Sequence, residues 1–231
     1  MKIATWNVEW ATPRSSKGKR IQEILRSLDA DVIVLTEGSE ELLPPGHIVD
    51  AGTDWGYPPK SPKNRKVLLW SRYQLSDVRT QTSRDIPSGR FVSACVTMPD
   101  GIFTVCGVCI PWKDAHVRSG RCDRAPWQDH VDFVAGLHEE IRNCVGPLVV
   151  AGDFNQRFPR GTQPLAVFEA LRDCCSPLEL HSVGLDEKPL IDHIATTNQF
   201  SKKSVEVIPD HDESGKLSDH RGISILFDFN L

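Results

Sequence analysis

The segment that most restricts the fold is Asp31-Val32-Ile33-Val34-Leu35-Thr36, an apolar run with no alternation. Successive side chains of a strand point to opposite faces of its sheet, so a strand that is apolar throughout must be covered on both sides. Lys2 to Trp6 reads as another strand, and between the two Ile21, Ile24, Leu25 and Leu28 recur at the spacing of one helical face. A strand, a helix and a buried strand in succession form a crossover, which predicts parallel pairing of the first two strands.

Lys66 to Trp70, Arg90 to Met98 and Ile102 to Cys109 also read as strands. Pro99-Asp100-Gly101 joins the last two in a turn, so this middle region should be antiparallel. A helix is expected from about Pro126 to Cys144, with Val131, Val134, Leu137 or His138, Ile141 and Val145 on one face. A buried strand should follow at Pro147 to Ala151, then a third helix at Gln163 to Cys174. Leu190 to Ala195, Ser204 to Ile208 and Gly222 to Phe229 read as closing strands, and Gly52 to Lys63 as a Pro/Gly-rich surface loop. No repeat or linker divides the 231 residues, so a single mixed α/β domain over 1–231 is expected.

Charge sets a bound on partners. With 27 basic against 31 acidic residues the formal net charge is −4, so any grip on nucleic acid must come from local rather than global positive charge. The seven cysteines, odd in number and scattered, suit reduced core thiols better than a disulfide framework. Cys106 and Cys109 have zinc-like spacing, but no second pair repeats it and they sit in a strand pattern. The opening Met1-Lys2-Ile3-Ala4-Thr5-Trp6 lacks the pattern of a secretory leader, and no apolar run reaches bilayer length. Cytoplasmic residence, no membrane insertion and a monomeric state are the expectations.

Polar residues recur where the expected strands end: Asn7 after the first, Glu37 after the second, Asp153 and Asn155 after Val149-Val150-Ala151-Gly152. Strand ends are where an open α/β scaffold presents side chains to a ligand. Asp153 and Asn155 would share one side if their strand continued. Asp192-His193 lies inside the apolar frame of Leu190-Ile191 and Ile194-Ala195, and Ser218-Asp219-His220 precedes the last strand. Taken singly, each has an ordinary reading as a turn asparagine, a solvated carboxylate or a surface histidine.

Taken together, Thr5-Trp6-Asn7, Thr36-Glu37, Gly152-Asp153-Phe154-Asn155, Ile191-Asp192-His193-Ile194 and Ser218-Asp219-His220 resemble the endonuclease/exonuclease/phosphatase family, in its order and rough spacing. The likeness covers nearly the whole chain, and Gly-Asp-Phe-Asn and Ser-Asp-His are its specific parts. It implies a four-layer α/β/β/α sandwich with two packed mixed β-sheets. It also implies a metal-dependent phosphodiester hydrolase, foremost a nuclease acting on DNA or RNA, with magnesium as cofactor and manganese as a substitute. Asn7, Glu37 and Asp219 would then hold or orient the ion, while Asp153, Asn155, Asp192 and His220 surround the scissile phosphate. The donor chemistry agrees, because magnesium prefers oxygen ligands and accepts one or two carboxylates. His220 suits a place beside the phosphate, with Asp192 accepting its other ring proton. Asp153 would position or deprotonate the attacking water, and the choice between Asp153 and His220 as proton acceptor stays open. Two other readings are a phosphatase or phosphodiesterase acting on lipid head groups, inositol phosphates or phosphotyrosyl adducts, and a non-catalytic nucleic-acid-binding module.

The chain departs from the family at one point. Where many members carry a histidine or tyrosine, the strand running from Val105 to Trp112 offers Cys109 or Trp112, with His116 on the following loop read as a solvated histidine. Basic residues gather in three loops, Arg14 to Arg20, Lys60 to Lys66 and Arg118 to Arg124. Arg157, Arg118 and Arg121 are the residues expected beside substrate phosphates. Trp10, Trp55, Tyr57 and Trp112 are candidates to stack on unpaired bases, with core or rim packing as the alternative.

Overall fold

A computed structural model describes residues 1–82, 86–185 and 189–230. The elements run β1 (Lys2–Asn7), α1 (Ser16–Ser27), β2 (Val32–Gly38), β3 (His47–Asp50), β4 (Arg65–Ser71), β5 (Leu75–Arg79), β6 (Phe91–Met98), β7 (Gly101–Cys109), α2 (Gln128–Asn143), β8 (Leu148–Asp153) and α3 (Leu165–Cys174). They continue through β9 (Glu179–Leu180), β10 (Asp192–Thr196), β11 (Phe200–Ile208), the short pair β12 (His211–Asp212) and β13 (Gly215–Lys216), and β14 (Gly222–Phe229).

Two six-stranded mixed sheets result, ordered β11-β14-β1-β2-β4-β3 and β5-β6-β7-β8-β10-β9. They share one connectivity. In the first, β1 and β2 are parallel across α1, flanked by antiparallel β14 and β4; in the second, β7 and β8 are parallel across α2, flanked by antiparallel β6 and β10. The crossover expected at the start of the chain is therefore present twice, although no sequence repeat announces it.

The sheets pack face to face. Val32, Val34, Val67 and Leu69 from one meet Val92, Val105, Val149 and Ile194 from the other in a single buried cluster. The outer face of the first sheet is covered by Ile21, Leu25 and Leu28 of the α1 region over Ala4, Ile33 and Leu35. That of the second is covered by Phe133, Val134 and Leu137 of α2 and Leu171 of α3 over Val108, Leu148 and Val150. These four layers explain the unbroken apolar runs of β2 and β8, whose alternate side chains enter different cores. Ser15 caps α1 by accepting the Gly18 amide at 3.0 Å.

Some boundaries differ from expectation. The second helix starts at Gln128, after Trp127 in a left-handed conformation, rather than at Pro126. Its expected apolar face is too wide, since Val131 and Val145 are exposed and Phe133 is buried in their stead. Strands β3, β5 and β9 were not expected; each is at or near a sheet edge and is short. All seven cysteines are free, and Cys106 and Cys109 lie in β7 as a strand pattern requires. No helix among the described residues is long and apolar enough to cross a membrane.

Candidate active site

The shared connectivity brings the ends of β1, β2 and β8, the start of β10 and the turn before β14 to one end of the sandwich. β8 and β10 are in register with Asp153 opposite Asp192. Gly152 makes the approach to β7 possible: at φ 141, a Cβ there would stand 1.9 Å from the Val108 carbonyl oxygen. Any side chain at 152 would push β8 off β7 and move Asp153 with it.

Asp153 is buried, and three donors hold its carboxylate. The Asn155 amide donates to Oδ1 at 2.9 Å, while Nδ2 of Asn7 and Nδ2 of Asn155 both donate to Oδ2 at 3.1 Å. Asp192, fully buried, accepts the Asn7 backbone amide at 2.6 Å on one oxygen and His220 Nδ1 at 2.8 Å on the other. Ser218 donates its hydroxyl to the Asn7 carbonyl at 2.6 Å and accepts the His220 amide at 3.1 Å, and Trp6 Nε1 donates to the His220 carbonyl at 3.0 Å. Asn7, Asp153, Asn155, Asp192 and His220 thus form one hydrogen-bonded set, although 213 positions separate its first member at 7 from its last at 220.

Glu37 and Asp219 border this set. Glu37, in a left-handed conformation at φ 52, forms an ion pair with Lys66 of β4. Asp219 is exposed, with Oδ1 3.9 Å from His220 Nε2. Asn155 also adopts a left-handed conformation, at φ 51, so β8 does not continue past Asp153. The expected strand alternation is absent, and Asn155 reaches Asp153 instead by folding back, its Nδ2 also donating to the Ile110 carbonyl at 2.8 Å.

Electrostatics separate the two central groups. Burial pushes the Asp153 carboxyl up to about 7, against the pull of His220 and with the neighbouring charges of Asp192 and Glu37 adding to the rise. Burial alone would lower His220, but the charges of Asp192 and Asp153 and the hydrogen bond to Asp192 outweigh it and hold the imidazole up at about 10. At neutral pH His220 is an imidazolium, with Asp192 fixing its Nδ1 proton.

Asp153, Asp192 and His220 also lie within 4.8 Å of one another, close enough to share an ion. Their mutual hydrogen bonding already accounts for that closeness. Glu37, Asp219 and Asn7 add further oxygen atoms at the border of this set. Around the set, the four carboxyl groups of Glu37, Asp153, Asp192 and Asp219 outnumber the two cationic groups, Lys66 and His220.

Behind the loop that follows Asp153 lies a buried support. His193 Nε2 donates to the Gln156 carbonyl at 2.9 Å, and Gln156 Nε2 donates to His130 Nε2 at 2.7 Å and to the Val167 carbonyl at 3.0 Å. Burial lowers both histidines to about 4, so both are neutral. Neither was singled out in this role from the sequence, because an isolated histidine in an apolar frame carries no positional signal.

Cys109, Trp112 and His116, the three candidates at and beyond the end of β7, sit in different surroundings. Cys109 is buried with Sγ 4.0 Å from Asp153 Oδ2, and burial pushes its thiol up to about 12, so it stays protonated. Trp112 is exposed. His116 is not the solvated histidine expected: it is wholly buried, stacked on Tyr57 at 4.4 Å, with Nε2 3.2 Å from the Trp55 carbonyl and Nδ1 accepting the Arg121 amide at 3.2 Å. The glycines at 56 and 120 leave the room it occupies, and burial pulls its pKa down.

Of the basic residues, Arg157 and Arg118 are exposed, and among the described residues neither guanidinium has a partner. Arg121 is engaged by Asp123 at 3.5 Å and Asp129 at 3.4 Å. Lys17, Arg20, Lys63 and Arg65 are likewise ion-paired. Sequence reading passed over Arg90, which lies buried at the entrance to β6.

A model of the Endonuclease/Exonuclease/phosphatase family matches residues 4–220. No curated protein matches the chain in sequence. Among solved structures, an AP endonuclease from Archaeoglobus fulgidus superposes with a TM-score of 0.71 at 16% identity, over 99% of this chain and 99% of the other. The 3′ phosphatase NExo of Neisseria, bound to a product DNA hairpin, gives 0.70 at 21% identity over 99% and 100%. An endonuclease/exonuclease/phosphatase from Bacteroides vulgatus gives 0.69 at 17% identity over 99% and 98%. At these identities the likeness is one of fold.

Proposed function

The chain belongs to the Endonuclease/Exonuclease/phosphatase family, and from that membership we propose that it is a magnesium-dependent phosphoesterase hydrolysing the phosphodiester bonds of nucleic acid. The observation that carries this reading is the buried pairing of Asp153, raised to about 7, with the His220 imidazolium, raised to about 10. Two titratable groups whose environments push them apart are suited to act as base and acid in one reaction.

Asp153 takes the proton of the attacking water, and Asn7 and Asn155 orient its carboxylate for that transfer. His220 donates from Nε2 to a phosphate oxygen that gains charge, while Asp192 keeps its ring oriented and protonated. Glu37, Asn7 and Asp219 would hold a divalent ion, magnesium or in its place manganese, which would supply charge neutralisation at the phosphate and a more acidic water. Arg157, Arg118 and Arg121 remain the proposed contacts to flanking phosphates, Arg121 only by leaving Asp129. The protein acts as a cytoplasmic monomer in this reading.

The test is hydrolysis of end-labelled DNA and RNA with magnesium or with chelator, by the natural protein and by Asp153→Asn. Cleavage that needs both the metal and Asp153 is expected. Turnover of small phosphate esters alone would replace the nuclease by a phosphatase, and nucleic-acid binding in chelator with no cleavage by any form would leave a binding module.

A further inference from the structure

Beside the catalytic set lies a second concavity of about 320 Å³, walled by Trp10, Trp55, Tyr57 and Trp112 and lined also by Lys66 and Arg90. Its walls are fixed. Trp10 stacks on Trp55 at 5.5 Å between ring centres, Lys66 Nζ lies 5.1 Å over the Trp10 ring, and His116 ties Tyr57 and Trp55 together from behind. Trp112 stands at the rim, 45% exposed.

Arg90 is the unusual member. Only 1% of it is accessible, and among the described residues its single hydrogen bond is a long one, Nη1 to the Cys109 carbonyl at 3.4 Å, with Nε and Nη2 unpartnered. A buried guanidinium with idle donors is costly unless an acceptor arrives. The common connectivity of the sheets explains why none is built in. The connection into β14 carries His220, which crosses to Asp192 at the start of β10 in the other sheet. The corresponding connection into β6 carries Arg90, but the start of β4 opposite it presents Lys66. Lys66 is paired with Glu37, which leaves Arg90 as the cation without a carboxylate among the described residues.

We propose that this groove receives an unpaired nucleotide of the substrate strand, its base stacked on the tryptophans and its phosphate held by Arg90 and Lys66. Aromatic walls accept any base, and the paired cations supply the anion site. Lys60, exposed on the same groove, lies where the next phosphate would leave. The substrate class is thus single-stranded or frayed nucleic acid rather than intact duplex. This deepens the nucleic-acid reading above and rests on it for the groove's place beside the scissile bond, which Cys109 marks by touching both Arg90 through its carbonyl and Asp153 through its sulfur.

The test measures quenching of intrinsic tryptophan fluorescence by a short oligodeoxyadenylate in chelator, so that no hydrolysis contributes. The single strand should quench and the blunt duplex of the same sequence should not. Trp112→Ala, at an exposed position that the fold tolerates, should weaken single-strand binding about tenfold, and Trp112→Phe should restore most of it. Arg90→Gln should also weaken it about tenfold and reduce the slope of log affinity against log salt by about 0.7, the share of one phosphate contact. Thermal melting checks that the variants are folded, and the Trp112 pair decides the matter if Arg90→Gln is not. Equal affinity of all forms, equal quenching by duplex, or quenching by phosphotyrosine and not by the oligonucleotide would overturn the assignment. Metal-dependent cleavage is scored separately: its loss with quenching intact removes the hydrolytic reading alone, and its presence with no effect of the groove variants removes this inference alone.

Discussion

The two sheets are built to one plan and end in opposite chemistry. At one end of the second, β8 and β10 present Asp153 and Asp192 side by side, and His220 arrives from the first sheet to pair with Asp192. At the same end of the first, β2 and β4 present Glu37 and Lys66, and the arginine that arrives from the second sheet finds no carboxylate among the described residues. In the reading proposed above, one half moves protons and the other holds anions. A mirrored scaffold needs only a change of sign at a few strand ends to divide a phosphoester site into a reacting side and a gripping side. The hydrogen-bonded half is internally satisfied, whereas in the other Arg90 keeps two donors without a partner among the described residues.

The comparison breaks most visibly at Asp153. Asp153→Asn removes the base while nearly keeping its shape, and hydrolysis of labelled oligonucleotide should fall by about a thousandfold or more, whereas tryptophan quenching by single strands should persist. Loss of binding in step with hydrolysis would mean that the two halves are not separable. Next in size is acid sensitivity of the support behind Asp153. His130 has a folded pKa of about 4 against an ordinary 6.5, so the unfolded chain binds the extra proton between those values. Stability is then full above pH 6.5 and falls as pH drops toward 4, by roughly 3 kcal/mol. Thermal melts across that window should follow this slope, and His130→Gln should flatten it.

This division also describes what could be read from the chain. The reacting half was legible because its residues sit at the ends of strongly patterned strands and inside short motifs: Asn7 after β1, Asp153 after the close approach at Gly152, His220 in Ser-Asp-His. The apolar runs announced strands covered on both faces, and the family resemblance supplied the four layers. The other half was legible only in part: Trp10, Trp55, Tyr57 and Trp112 were candidates to stack on bases and Lys60 to Lys66 a basic loop, but Arg90 was missed. Arg90 precedes a strand with nothing beside it to mark it, and its meaning lies in the absence of a partner, which no spacing can encode. His116 was read as solvated because loops usually are; it is buried because the glycines at 56 and 120 admit its ring and Tyr57 stacks on it. The left-handed turn at Asn155 likewise defeated the strand alternation that seemed to pair it with Asp153.

His116 offers a sharper cut between the halves. His116→Ala deletes a buried ring that joins the loops carrying Trp55, Tyr57 and Arg121, at a cost of about 2 kcal/mol in unfolding free energy. The groove should lose its shape, so single-strand quenching should weaken more than the metal-dependent cleavage of a small diester. Equal loss of both would tie the groove to the reacting half through more than position.

The smallest effect is expected at Arg157, and it bears on where the nucleic-acid strand leaves the site. Arg157 lies two residues beyond Asn155, exposed and without an ion-pair partner among the described residues, on the reacting side of the molecule. If the strand enters through the Arg90 groove and crosses Asp153, the next phosphate passes this guanidinium. An exposed contact of that kind contributes about 1 kcal/mol or less in salt, so Arg157→Ala should leave cleavage at low ionic strength within a few-fold of normal. It should nonetheless lower the salt dependence of binding by about one phosphate contact, independently of the loss at Arg90. Additive slopes in the double variant would place the two arginines on separate phosphates of one strand, whereas a double variant no different from Arg90→Gln would confine the grip to the groove and leave Arg157 a solvated side chain.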